Sequence, residues 1–108
     1  MTILLDPVVR LKLISDEMIA VCRAVWNAYQ ADGMIPVMTG AADENYRPGG
    51  AHVAGRGWDF RVRGLAHPDV VAAEIRTQLE SSPGHYTVLY GDAQHLDHIH
   101  VHVAPLEL

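Results

Sequence analysis

The fold is decided by AHVAGRGWDF at positions 51–60 and by HLDHIHVH at positions 95–102. These two stretches contain five of the seven histidines of the chain, together with two Asp residues, Asp59 between two aromatic residues and Asp97 directly after a Leu. Burying unpaired imidazoles and carboxylates costs free energy, and a divalent metal removes that cost by taking them as ligands. The two stretches therefore predict one zinc site, with His52, Asp59 and His100 as ligands and the fourth position open to water.

Strand alternation in the first stretch supports this ligand set. In a strand over positions 56–62, Asp59 lies on the face opposite Trp58 and Phe60, whose side chains enter the core. His52 precedes this strand across two glycines, where the chain can bend back toward the site at little steric cost. Asp59 is thus predicted to face the metal.

The second stretch alternates in the same way. His98, His100 and His102 fall on one face of a strand, and Ile99 and Val101 fall on the other. Three histidines in register are unusual for a plain core strand. This histidine face is therefore predicted to form the other side of the site.

Two amphipathic helices are predicted from their apolar spacing and end signals. The first begins after Ser15 as N-cap and ends at about Ala31, before Gly33 as C-cap. The second begins at Pro68 and stops near Ser82. Their core-facing stripes comprise Met18, Val21, Cys22, Val25, Trp26 and Tyr29 in the first helix and Val70, Val71, Ile75 and Leu79 in the second.

The order of the predicted elements indicates the fold class. Further strands are expected at positions 35–39 and 86–90, and positions 1–14 are expected to be a loop or a short helix packing on the body. These elements give an α+β fold with a small, mainly antiparallel sheet and two principal helices. At 108 residues, the chain is expected to form one domain over positions 1–108.

Composition argues against several classes of protein. The net charge of -5 disfavours nucleic-acid binding, which needs concentrated Lys and Arg. The single cysteine, Cys22, rules out an internal disulfide and a cysteine-rich zinc site. No run approaches the roughly 18 apolar residues of a membrane span, so no membrane insertion is expected. The N-terminus lacks the features of a signal peptide, so synthesis in a cytoplasm is expected.

The order and spacing of the motifs resemble a known family, the zinc D-Ala-D-Ala carboxypeptidase or LAS peptidases. The family includes D-alanyl-D-alanine dipeptidases, phage L-alanoyl-D-glutamate endolysins and, as a relative, the hedgehog signalling domain. The matching motifs are His52-x-x-Gly55-x-Gly57-x-Asp59 and Asp97-His98-Ile99-His100-Val101, preceded by Val37-Met38-Thr39-Gly40 and Arg47-Pro48-Gly49-Gly50. The resemblance covers roughly positions 35 to 103, and Gly57 stands where the family usually has Ala.

This resemblance implies a hedgehog-like or D-Ala-D-Ala peptidase-like fold and a Zn²⁺-dependent peptidase. The expected substrate is peptidoglycan or a muropeptide, cut in its stem peptide at a D-Ala-D-Ala or an L-Ala-D-Glu bond. Arg47 is expected to hold a carboxylate of that peptide, which the planar guanidinium suits. Without a signal peptide, a phage endolysin that reaches the cell wall after release is one expected setting.

The sequence offers two candidates for the general base. Asp97 is our first prediction, because an acid three residues before the ligand His100 resembles the Glu-x-x-His arrangement of many family members. His95 is the alternative, because His95-x-x-His98-x-His100 resembles the all-histidine arrangement of the endopeptidases. His98, which shares the face of His100, is expected to orient the water or stabilise the oxyanion.

Two other functions are compatible with parts of the pattern. A pair of His with one carboxylate also suits non-haem Fe(II) oxygenases, but these place His and Asp one residue apart in a barrel with many strands. The second alternative is a non-catalytic zinc-binding interaction module of the same fold, like the hedgehog domain. A correctly placed general base is what distinguishes the peptidase from this module.

Overall fold

The computed structural model describes residues 1–11, 14–41 and 55–104 of the chain. Its helices are α1 (Asp16–Tyr29), which a short 3-10 turn at Gln30–Asp32 extends, and α2 (Pro68–Leu79). Its strands are β1 (Leu4–Leu5), β2 (Val37–Gly40), β3 (Gly57–Arg61), β4 (Tyr86–Leu89) and β5 (His98–Val103).

The five strands form one sheet in the order β1-β2-β3-β5-β4. β1 runs parallel to β2, and every other neighbouring pair is antiparallel. The predicted class, α+β with a mainly antiparallel sheet and two principal helices, is thereby confirmed. No helix in the described part of the chain is long and apolar enough to cross a membrane.

α1 begins and ends at the predicted signals. The Ser15 hydroxyl accepts a hydrogen bond from the Met18 backbone N–H at 3.1 Å, which satisfies one of the unpaired donors of the first turn. Asp16 and Glu17 place negative charge at the positive end of the helix dipole. Gly33 has φ 65°, a left-handed conformation that glycine adopts readily, and it ends the 3-10 extension.

One hydrophobic core lies between the helices and one face of the sheet. Its largest fully buried side chains include Tyr29 from α1, Ile75 from α2 and Trp58 from β3. The Tyr29 hydroxyl donates to the Arg61 carbonyl at 2.7 Å and so joins α1 to the end of β3. Burial of its phenol raises the pKa of Tyr29, as burial raises the pKa of the Cys22 thiol to about 11.

One predicted core position is wrong, and another is only partly buried. Val70 is 61% exposed, and Ala72 is buried in α2 together with Val71 and Ile75. The face of α2 that packs inward contains positions 71, 75 and 79. Each residue of an α-helix is rotated by about 100° around the helix axis from the one before it. Val70 is therefore rotated away from this face. Trp26, at the margin of the α1 stripe, is only partly buried.

The assignment of positions 1–14 to a loop or a short helix missed β1. The Leu4 N–H donates to the Pro36 carbonyl at 2.9 Å, and the Asp6 N–H donates to the Met38 carbonyl at 2.9 Å. These bonds add a two-residue strand to the sheet edge. A strand of two residues is too short to show an alternating pattern, and it forms here because β2 offers an unpaired edge.

Arg56 fixes the start of β3 against the end of β5. Its Nε donates to the Val103 carbonyl at 3.1 Å and its Nη2 donates to the Ala104 carbonyl at 2.8 Å. Its Nη1 also lies 3.3 Å from a carboxylate oxygen of Glu17 in α1. The guanidinium therefore ties both central strands and one helix together, which fixes the pairing of β3 with β5.

Arg76 of α2 covers the outer edge of β4. The Ala104 N–H donates to the His85 carbonyl, and because hydrogen-bonded pairs alternate along antiparallel strands, the polar backbone groups of Tyr86 and Val88 point outward. Arg76 donates to the outward Val88 carbonyl from Nε at 3.1 Å and from Nη2 at 2.8 Å. An edge closed in this way is a poor template for another strand.

Replacing Arg76 should therefore cause self-association. Arg76→Met keeps the apolar stem but removes the donors, and we expect dimers or larger species by size-exclusion chromatography with light scattering at micromolar concentrations. Arg23→Met is the matched control, because Arg23 is an exposed arginine on α1 and its loss changes the net charge equally. Equal behaviour of the two variants would show that the Val88 contact does not protect the edge.

Candidate metal centre

The candidate site is built on one cross-strand pair, Asp59 of β3 and His100 of β5. The two residues are directly opposite each other in the antiparallel register, so their side chains leave the sheet on the same face. That face is the one opposite Trp58 and Ile99, as strand alternation predicts. Both side chains are nevertheless buried, with 5% of Asp59 and 9% of His100 exposed. His100 Nδ1 lies 2.8 Å from Asp59 Oδ1.

His98 and His102 flank His100 on this face of β5. His98 lies opposite Arg61, and His102 lies opposite Gly57. His98 Nε2 is 3.7 Å from Asp59 Oδ1, which is longer than a hydrogen bond. His102 Nδ1 is 2.9 Å from His100 Nε2. The predicted histidine face of β5 is thus confirmed, with His98 and His100 beside one buried carboxylate and His102 against His100.

Asp97 holds the outer side of the His98 ring. Its Oδ1 is 2.6 Å from His98 Nδ1, and its side chain is 91% exposed. The hydrogen bond from His98, together with the attraction of its charge, holds the pKa of Asp97 below the usual value. Next to this ionised carboxylate, the His98 proton belongs on Nδ1, so Nε2 is the basic nitrogen and faces Asp59.

His95 also joins the group, from the loop that precedes β5. Its Nδ1 lies 2.7 Å and 2.8 Å from the two carboxylate oxygens of Asp92. This hydrogen bond is the main reason that the pKa of Asp92 is lowered, and the Gln94 backbone N–H adds to it. The His95 ring centre is 5.2 Å from that of His98 and 5.5 Å from that of His100. Both candidate bases therefore lie beside His98.

Two of the predicted site residues, His52 and Arg47, lie outside the described residues. Gly55 is the first described residue after them, and its φ of 74° puts a turn directly before β3, where the sequence predicts a bend. Within residues 1–11, 14–41 and 55–104, no group of three or more His, Cys, Asp and Glu side chains is arranged to hold a metal. Of the three predicted ligands, Asp59 and His100 are the two that the structure describes.

The described donors are of the types that zinc binds, and they lie close together. Zinc in proteins takes imidazole nitrogen and carboxylate oxygen at about 2.0–2.2 Å, so two tetrahedral ligands lie roughly 3.3 Å apart. The 2.8 Å between His100 Nδ1 and Asp59 Oδ1 is the shorter distance of a hydrogen bond. A small rotation of either side chain would lengthen this Nδ1–Oδ1 distance to the roughly 3.3 Å that separates two ligands of one zinc ion.

Arg61 places a cation beside the centre, and the sequence motifs do not identify it. It shares the face of Asp59 and lies opposite His98. Its Nη2 is 3.4 Å from Asp6 Oδ2, and both side chains are partly exposed. The pair connects the segment after β1 to the edge of the site. Strand alternation alone indicates its face, but its partner comes from a distant part of the chain.

Comparison with protein-family models, with curated proteins and with solved structures finds no match for the chain.

Proposed function

We propose that the chain is a zinc-dependent peptidase of the D-Ala-D-Ala carboxypeptidase or LAS type, which cleaves a peptide bond in the stem peptide of peptidoglycan. The observation that carries this proposal is the buried pair of Asp59 and His100, with His98 3.7 Å from the same carboxylate oxygen. These residues come from the two motifs on which the resemblance to the family rests. The α+β class of the fold agrees with the family at that coarse level.

In this proposal, zinc is held by His52, Asp59 and His100. When bound, the metal would lower the pKa of its water and polarise the scissile carbonyl. The pairing of β3 with β5 holds two of these ligands in place before any metal binds. Such preorganisation reduces the ordering that metal binding requires.

His98 is the group best placed to move the proton. Its basic Nε2 points toward Asp59, whereas its Nδ1 is held by Asp97. His98 would take a proton from the attacking water and later deliver it to the leaving amine. Asp97 would act through His98, by fixing the tautomer and stabilising the charged ring. This division of roles differs from the sequence-based prediction, in which Asp97 itself is the base.

His95 lines the same region but comes from the loop that precedes β5, whereas His98 lies on β5 itself with its Nε2 3.7 Å from Asp59. The Nδ1 of His95 is engaged by both carboxylate oxygens of Asp92, and its ring stands edge-on to that of His98. This position suits a wall of the substrate site beside the base. Arg47 remains the proposed clamp for a carboxylate of the stem peptide.

The experiment that tests the proposal is digestion of purified peptidoglycan. The zinc-loaded protein should release new amino groups, and mass spectrometry of the fragments should show one type of cleaved bond, at D-Ala-D-Ala or at L-Ala-D-Glu. EDTA should abolish the release, and added zinc should restore it. Peptidoglycans with different stem chemistry should be compared, because the bond that is cut defines the substrate.

The non-catalytic zinc module gives a different result in the same experiment. A preparation with full zinc that releases no amino groups from any peptidoglycan type would contradict the peptidase. Tight binding of a protein partner by that preparation would favour the module. An oxygenase would be recognised earlier, because iron rather than zinc would accompany the purified protein.

A further inference from the structure

The hydrogen bond between His100 and His102 has no role in the peptidase chemistry described above. His100 Nε2 lies 2.9 Å from His102 Nδ1, and the two ring centres are 5.0 Å apart. The other nitrogen of His100, Nδ1, faces Asp59. Each nitrogen of the His100 ring therefore has its own partner, and the partners lie on opposite sides of the ring.

This arrangement matters if Nδ1 of His100 binds a metal. A neutral imidazole that uses one nitrogen as a ligand carries its proton on the other nitrogen. Ligand histidines usually donate that second N–H to an acceptor, which fixes the tautomer and the orientation of the ring. At 2.9 Å, His102 Nδ1 is correctly placed to accept it in the tautomer that carries the His102 proton on Nε2.

The sheet holds His102 in this position. β5 is an inner strand, and His102 lies between Gly57 of β3 and Thr87 of β4. Because side chains alternate along a strand, a residue two positions after His100 must lie on the same face. Arg56 anchors the next residue by donating to the Val103 carbonyl. The separation of the two rings is therefore set by regular backbone and not by a loop.

We propose that His102 is a positioning residue of the metal centre: it accepts the Nε2 proton of His100 and so presents His100 Nδ1 to the metal. The inference rests on the proposed function, because it assigns His100 as a ligand. It predicts that losing the acceptor lowers zinc affinity although His102 itself does not touch the metal.

Two substitutions separate this role from simple packing. His102→Leu keeps much of the volume and removes the acceptor. His102→Asn restores an acceptor, because its Oδ1 is as many bonds from the backbone as Nδ1 of histidine. We expect zinc affinity, measured by competition with a chromophoric chelator, to fall by about 10-fold to 100-fold in the Leu variant. The Asn variant should keep most of the affinity, and zinc-free thermal stability should be similar in both.

Exposed His85 supplies the control, since His85→Leu should leave zinc affinity unchanged. Equal affinities for wild type and His102→Leu would overturn the inference and leave the peptidase proposal standing. Equally weak binding by the Leu and Asn variants would also overturn it, because it would indicate a packing role. A wild-type protein that binds no zinc would overturn both proposals.

A direct readout on the wild-type protein does not depend on folding of the variants. Nitrogen-15 NMR of the imidazole groups distinguishes protonated from unprotonated ring nitrogens. In the zinc-loaded protein, we expect the proton on Nε2 of His100 and none on Nδ1 of His102. A proton on His102 Nδ1 would reverse the donor and acceptor and contradict the proposal.

Discussion

His98→Ala is expected to lower the rate of stem-peptide cleavage by about 10² to 10⁴ without lowering zinc content. The variant removes the ring nitrogen that lies 3.7 Å from Asp59 Oδ1, together with the other ring nitrogen that contacts Asp97. Because a general base acts in the transition state, kcat should fall far more than KM rises. The rate is measured as release of new amino groups, and zinc is measured by elemental analysis.

Two companion variants show which group is the base. Asp97→Asn keeps an oxygen that can accept the His98 Nδ1–H, so its rate should fall less, by roughly 10-fold to 100-fold. His95→Ala should have the smallest effect, since it is His98 Nε2 that lies 3.7 Å from the proposed ligand Asp59. If Asp97→Asn is the most damaging of the three, Asp97 is the base, as the Glu-x-x-His pattern suggests. If His98→Ala loses zinc, His98 is a ligand.

Local patterns in the sequence predicted most of the elements. Alternation in β5 placed His98, His100 and His102 on one face, and the structure agrees because a six-residue strand leaves no freedom in side-chain direction. The N-cap Ser15 and the glycine at position 33 predicted the ends of α1 for equally local reasons. These signals involve only neighbours in the chain, so no tertiary information is needed to read them.

Contacts between distant segments were not predictable in the same way. Alternation shows that Asp59 and His100 each face away from the core, but it does not show that they are directly opposite. That register is fixed by packing of the two strands and by the Arg56 contacts to Val103 and Ala104. Nor does the sequence indicate that Asp97 holds His98, because this depends on the side-chain torsions of adjacent residues.

His100 also contributes to stability, so its loss should affect both the fold and the centre. Asp59 is 5% exposed, and His100 Nδ1 lies 2.8 Å from its carboxylate oxygen. Removing the imidazole leaves that carboxylate with one partner fewer in a buried place, where an uncompensated charge is costly. The metal would lose a ligand at the same time. The two effects are separable because only the second depends on zinc.

We therefore expect His100→Ala to lower the melting temperature in the zinc-free state and also to abolish the rise that zinc produces in the wild type. Breaking a buried pair costs about 3 kcal/mol or more, which corresponds to a drop in Tm on the order of 10 °C for a domain of this size. His67→Ala is the control, because His67 is exposed and its side chain makes no capping hydrogen bond to α2. Differential scanning calorimetry with and without zinc measures both effects. A variant that keeps full zinc and the wild-type rise in Tm would show that His100 is not a ligand, and the stability lost without zinc would then report only its contact with Asp59.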